Sequence, residues 1–171
     1  PVRGWLAERT QPAALVMMVN AGVIPPDHPL QDPADGGGRI IGEGCHWIDL
    51  VRYLVGHPIT RVSAVAMGPG RVATPEDKVS ISLGFADGSL GTIHYFGNGT
   101  KQFPKERLEV FCQGGVAQVD NFRSLKWFGV PGVSSIRATR QDKGHAAECV
   151  AFLDAVRAGA PSPIPFDELV E

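Results

Sequence analysis

Glu43, His46 and Asp49 stand at i, i+3 and i+6 in a stretch, residues 39–55, whose apolar residues recur with helical period. That spacing sets Glu43 and His46 near each other on one side of a helix, with Asp49 one turn on. Histidine titrates close to neutral pH, so a His with a nearby carboxylate is suited to moving a proton. Gly42, one turn before His46, leaves its neighbourhood open. The same spacing also describes an ordinary polar helix side. A carboxylate-bridged metal site would need Glu-x-x-His from two helices plus further Glu residues. One copy is present, and His28, His57, His94 and His145 show no ligand spacing among themselves. No metal is expected.

Other side chains are candidates for holding a small molecule. Asn20, Asp27 and His28 lie in a proline-rich stretch, residues 20–38. A loop that long is often functional, although the same composition also serves simply to turn a chain. Lys101, Lys105 and Arg107 gather near a strand start, where they suit either a phosphate or carboxylate or a solvated rim. Asn20, His28 and Lys105 are the substrate-contact candidates. His94 falls on an apolar strand face and reads as a core histidine. The nearest approach to a dinucleotide fingerprint, residues 68–73, runs into Pro75 and a strand where a helix is required.

The elements that must position these residues follow from period and punctuation. Residues 14–19 form a short apolar run with β character. In the helix at 39–55, Ile41, Cys45, Ile48, Val51, Leu54 and Val55 share a face, and Gly56 then Pro58 stop it. Residues 61–67 and 79–85 alternate as strands. Asp87-Gly88 is a strong hairpin signal, with 90–96 returning. A two-residue turn would pair Val79 with Phe96, Ile81 with His94, Leu83 with Thr92 and Phe85 with Leu90. It would put Ser80, Ser82, Gly84, Gly91, Ile93 and Tyr95 on the other face. Residues 107–112, 116–119, 124–128 and 134–140 suggest further strands. A last full helix at 144–157 offers Ala147, Val150, Leu153 and Val156 as inward residues. The expected fold is α+β: a largely antiparallel β-sheet covered on one face by helices. The open face, with Ser82, Gly84, Gly91, Ile93 and Tyr95, is expected to join copies of the chain into a homo-oligomer.

Composition removes other classes. At 171 residues, 43% hydrophobic and 20% charged, the chain suits one soluble globular domain. A net charge of -2 without any Lys/Arg run argues against nucleic acid. No apolar stretch approaches the roughly 20 residues of a membrane span, and no signal peptide opens the chain. Three widely spaced cysteines, Cys45, Cys112 and Cys149, point away from a disulfide framework and toward a reducing, cytoplasmic setting. Residues 3–11 read as a polar lead-in and residues 165–171 as the first turn of a helix, so both ends look cut.

The segment from Val19-Asn20-Ala21-Gly22, through Pro25-Pro26-Asp27-His28, to Gly36-Gly37-Gly38-Arg39-Ile40-Ile41-Gly42-Glu43-Gly44-Cys45-His46-Trp47-Ile48-Asp49 resembles the glucose–fructose oxidoreductase, inositol dehydrogenase and rhizopine-catabolism (Gfo/Idh/MocA) family. The likeness continues through Phe85-Ala86-Asp87-Gly88-Ser89, residues 103–111 and residues 141–145. It implies that residues 1–171 form a single C-terminal, dihydrodipicolinate-reductase-like domain that packs against an N-terminal Rossmann domain lying outside this chain. It implies NAD or NADP bound mainly by that Rossmann domain, with none expected on this chain alone. It implies hydride transfer to or from a sugar or sugar-like alcohol, with the isolated chain inactive, and oligomers joined through sheets. The family lysine of the Glu-Lys-Pro motif has no counterpart here. The family histidine maps to His46. Many members carry Asp four residues before it; here that position is Gly42, so either Glu43 replaces the Asp or His46 acts alone. The alternative is a non-catalytic module of the same fold that senses a sugar or nucleotide.

Overall fold

A computed structural model describes residues 1–25, 27–31, 37–68 and 77–171. Its centre is an eight-stranded sheet in the order β2-β3-β4-β1-β5-β6-β7-β8. The strands are β1 (Ala14–Asn20), β2 (Ile59–Ala66), β3 (Lys78–Phe85), β4 (Leu90–Phe96), β5 (Glu106–Cys112), β6 (Gly115–Asp120), β7 (Ser124–Phe128) and β8 (Ile136–Arg137). Every pairing is antiparallel except β1 with β4. The expected largely antiparallel α+β fold is therefore present. The first strand sits in the interior, between the meander β2–β4 and the meander β5–β8. Leu15, Met17 and Val19 on one face of β1 are fully buried beneath the helices.

Three helical pieces differ from expectation. Residues 2–7, overlapping the supposed polar lead-in, form α1 (Val2–Ala7), because Val2 and Leu6 fall on one side and enter the core. The helix expected at 39–55 is α2 (Cys45–Val55), preceded by a π-turn, Ile40–Gly44. The extra residue of a π-turn shifts the helical phase. Ile41 and Cys45 rotate to solvent, and Trp47 joins Val51, Leu54 and Val55 in the core. Gly56 ends α2 in the left-handed conformation at φ 73°. Arg3 and Arg9 donate to the carbonyls of Leu54 and Val55 at 3.3 and 2.9 Å, placing cations at the negative end of the helix. The last long helix, α3 (His145–Ala158), buries none of its residues, so Val150, Leu153 and Val156 are exposed instead of inward. The helix residues that enter the core come from α1 and α2. A short α4 (Phe166–Val170) is tied down where Glu168 and Glu171 meet Arg52. No helix among the described residues is long and apolar enough to cross a membrane.

The β3–β4 hairpin corrects the expected faces. Its loop holds three residues: Phe85 N–H donates to the Ser89 carbonyl at 3.0 Å, and Gly88 takes φ 86°. Gly84 therefore pairs with Leu90, Ile81 with Ile93 and Val79 with Tyr95. A one-residue slip turns every side chain of a strand over. Ile93 and Tyr95 lie in the core, fully buried, and Gly91 lies under α2; none belongs to the open face. His94 moves the other way, out of the expected core and onto the open face, where Nδ1 meets Ser80 Oγ at 2.9 Å. The fingerprint-like stretch lies outside the described residues, apart from Gly68.

Candidate functional site

The π-turn and the first turn of α2 carry Glu43, His46 and Trp47 past the ends of β4 and β5. Tyr95, turned inward by the hairpin register, donates its hydroxyl to Glu43 Oε2 at 2.5 Å. Lys105, one residue before β5, donates to Glu43 Oε1. Arg39, one turn before Glu43, reaches Glu43 Oε2 at 3.4 Å, Asp77 Oδ2 at 3.2 Å and the carbonyls of Gly22 and Ala21 at 2.7 and 2.9 Å. Asp77 in turn holds Lys78. Arg39 also lies 5.6 Å from the centre of the Tyr95 ring. The outcome is a connected polar network under the helix start.

Its electrostatics follow from its partners. Burial works to raise the Glu43 carboxyl, but the hydrogen bonds from Lys105 and Tyr95 and the charges of Lys105 and Arg39 prevail, holding it below its ordinary value of 4.5. Burial and the adjacent Glu43 carboxylate push the Tyr95 phenol upward, so Tyr95 stays a neutral donor. Glu43 is thus an ionised acceptor with both oxygens occupied.

The sequence candidates separate. Glu43 and Lys105 meet directly. His46 is exposed and makes no side-chain hydrogen bond among the described residues, with Glu43 or any other group. Asn20 donates its amide to the carbonyls of Thr100 and Phe103 at 2.8 and 3.2 Å, and its backbone N–H donates to the Lys105 carbonyl at 2.8 Å. It holds the 97–105 loop that delivers Lys105. Gly99 is needed for this closeness, because a Cβ there would lie 2.0 Å from Asn20 Oδ1. His28 accepts the Leu30 N–H at 3.2 Å, a local turn contact that does not join the network.

A second cluster adjoins the first and has no counterpart in the sequence reading. Glu106, buried at the start of β5, receives Lys143 Nζ at 2.6 Å and Gln141 Nε2 at 3.4 Å. Lys143 also lies 5.8 Å from the ring centres of Trp47 and Phe122. A cleft of about 390 Å³ runs between residues 101–106, Asn121, Gln141 and Lys143, with Lys105 and Lys143 on its wall. Glu43 and Trp47 lie one turn apart on the same side of the helix start, and each contacts one of these lysines. The cleft therefore runs beside the turn that carries His46. Sequence reasoning misses Tyr95 because a two-residue hairpin turn would put it on the opposite face. It misses Lys143 and Glu106 because nothing local joins residues 37 positions apart.

A family model described as the GFO/IDH/MocA C-terminal domain matches residues 15–118. No protein of curated function matches. Among solved structures, aldose-aldose oxidoreductase from Caulobacter crescentus, complexed with glycerol, superposes with a TM-score of 0.78 at 17% identity, over 98% of this chain and 52% of that one. The WlbA dehydrogenase from Bordetella pertussis, in complex with NADH and UDP-GlcNAcA, gives 0.68 at 17% identity, over 98% and 52%. UDP-N-acetylglucosamine 3-dehydrogenase GnnA from Acidithiobacillus ferrooxidans gives 0.67 at 22% identity, over 91% and 48%. At these identities the likeness shows the fold. The chain spans about half the length of each.

Proposed function

The chain belongs to the GFO/IDH/MocA C-terminal domain family, and from that premise we propose that it is the substrate-side domain of an NAD(P)-dependent oxidoreductase acting on a sugar or sugar-like alcohol. The observation that carries the reading is the helix start: an exposed His46 without a side-chain hydrogen bond among the described residues, on the turn whose Glu43 and Trp47 meet the cleft lysines Lys105 and Lys143. The described residues do not themselves fit a dinucleotide. The sheet's one parallel pair, β1 with β4, is joined through α2 and the hairpin strands, and α2 starts from a π-turn, not from a glycine turn at a strand end. NAD or NADP is therefore assigned to a Rossmann domain preceding this one. The exposed Val150, Leu153 and Val156 of α3 supply an apolar surface for that partner.

In this reading, a nicotinamide held by that preceding domain would supply the chemistry of hydride exchange at the alcohol carbon. His46 takes or returns the proton of the alcohol oxygen. Glu43, whose oxygens are engaged by Tyr95, Lys105 and Arg39, fixes the turn that presents His46. Asn20 holds the loop that supplies Lys105 to the substrate. His28 is assigned to the pocket rim on the sequence reading alone.

The test is His46→Ala in the enzyme joined to its nucleotide-binding domain. Single-turnover hydride transfer should fall by about 10²–10⁴-fold, with NAD(P)H affinity and melting temperature unchanged, because His46 is exposed and holds nothing. Wild-type rates across roughly pH 6–9 would remove the assignment. Binding of a sugar with no hydride transfer in the wild-type enzyme would favour the sensing module instead.

A further inference from the structure

We propose that the cleft lined by Lys101, Lys105, Asn121, Gln141 and Lys143 is a subsite for the anionic group of an acidic, sugar-like substrate. This rests on the reading of the chain as a substrate-side domain, and it names the class of substrate. The depth of each charge is the first argument. The carboxylates paired with the cleft lysines lie behind them: the Glu106 side chain is 1% exposed and Glu43 19%, while Lys143 is 28% and Lys105 40% exposed. An ammonium group has three donors. Glu106 also borders the cleft but is nearly fully buried, so the N–H groups that the two lysines do not spend on Glu43 and Glu106 are left for an anion.

The charge balance agrees. Arg39, Lys78, Lys101, Lys105 and Lys143 stand against Glu43, Asp77 and Glu106 in the connected clusters and the cleft wall. The chain as a whole carries -2, so this local positive excess runs against its overall balance. Lys101 has no ion pair among the described residues, which leaves its charge for a ligand. A carboxylate or phosphoryl group arriving here would meet several ammonium donors at once, the arrangement that makes charge-assisted hydrogen bonds strong. Exposed Phe103 and Pro104 on the same wall offer an apolar surface to the C–H face of a ring. The combination fits an anionic group attached to a sugar-like ring, either a sugar acid or a sugar phosphate.

Calorimetric titration of the full chain with glucuronate, glucose 6-phosphate and glucose, at fixed ionic strength, tests this. Saturable binding of one or both anions, absent with glucose and weakened by added salt, is the expected result. Which anion binds identifies the group as carboxylate or phosphoryl. Lys105→Met would release Glu43 and can disturb the fold, so the deciding variant is Lys101→Glu on the exposed rim. It should weaken anion binding at least tenfold at an unchanged melting temperature. Failure of both anions to saturate, equal binding of glucose, or no effect of Lys101→Glu would overturn the proposal. Binding is read without hydride transfer. An enzyme that oxidises only neutral sugars would thus refute the subsite and spare the oxidoreductase reading, while anion binding without any hydride transfer would do the reverse.

Discussion

Glu43 shares its carboxylate between two strands, Oε1 with Lys105 before β5 and Oε2 with Tyr95 on β4. Its role in stability has a definite pH sign. The folded protein holds the carboxyl below its ordinary 4.5, so the folded state favours the ionised form. The stabilisation is fully present above that ordinary value and is lost as pH falls through the lower, folded-state value. Glu43→Gln keeps an acceptor for Tyr95 but removes the charge facing Lys105. At neutral pH it should cost toward the lower end of the roughly 1.5–3 kcal/mol of a hydrogen bond to a charged group, because Lys105 is partly exposed. Urea midpoints for both proteins, taken from pH 7 down to about pH 3, should converge in acid. A gap that stays constant would show that the charge of Glu43 is not what holds the turn.

At the scale of elements, α2 owes its seat to a glycine. Gly91 on β4 lies beneath Val51, and a Cβ there would stand 2.6 Å from Val51 Cγ1 and 3.3 Å from the Phe85 ring. Val51 is fully buried and has no free direction in which to give. Gly91→Val should therefore destabilise the fold by about 1–3 kcal/mol through overpacking. Gly91→Ala combined with Val51→Ala should recover part of the loss seen for the two single changes added together. Purely additive losses would mean that helix and strand do not touch here. Because α2 also carries His46 and Trp47, a lifted helix would misplace the site as well as loosen the core.

For the whole molecule, the open sheet face remains the proposed surface for self-association, with different residues from those expected. Leu90, Ala14, Phe111, Val116 and Phe128 lie in register across β4, β1, β5, β6 and β7. Leu90, Phe111 and Phe128 are exposed, which makes the row an apolar band across five strands. Burying a Phe side chain is worth about 1.5–3 kcal/mol, or roughly tenfold to a hundredfold in a dissociation constant. Phe111→Glu should shift sedimentation toward monomer by at least that factor without lowering the monomer's melting temperature. An oligomer indifferent to Phe111→Glu would place the contact elsewhere.

Local pattern was enough to mark most of the elements, though not α1. Alternation at Val79, Ile81, Leu83 and Phe85 marks β3 whatever it pairs with, and Gly56 can stop a helix because only its own left-handed conformation is involved. The glycine-rich segment leading to His46 likewise carries the family resemblance without reference to distant residues. The face that each residue shows was decided by tertiary structure. Asp87 accepts hydrogen bonds from Ser89 and Arg9, and Ser89 accepts one from the Ala13 N–H, so chain 76 residues away helps to hold the hairpin loop at three residues. That one residue sends Tyr95 inward and His94 outward. The π-turn does the same for the phase of α2. Glu43 finds Tyr95 and Lys105 across 52 and 62 residues of chain, and Glu106 finds Lys143 across 37. Periodicity reports only the neighbours within a turn or a strand, whereas these pairings depend on strand register and helix phase, which are settled when the whole sheet and its helices pack.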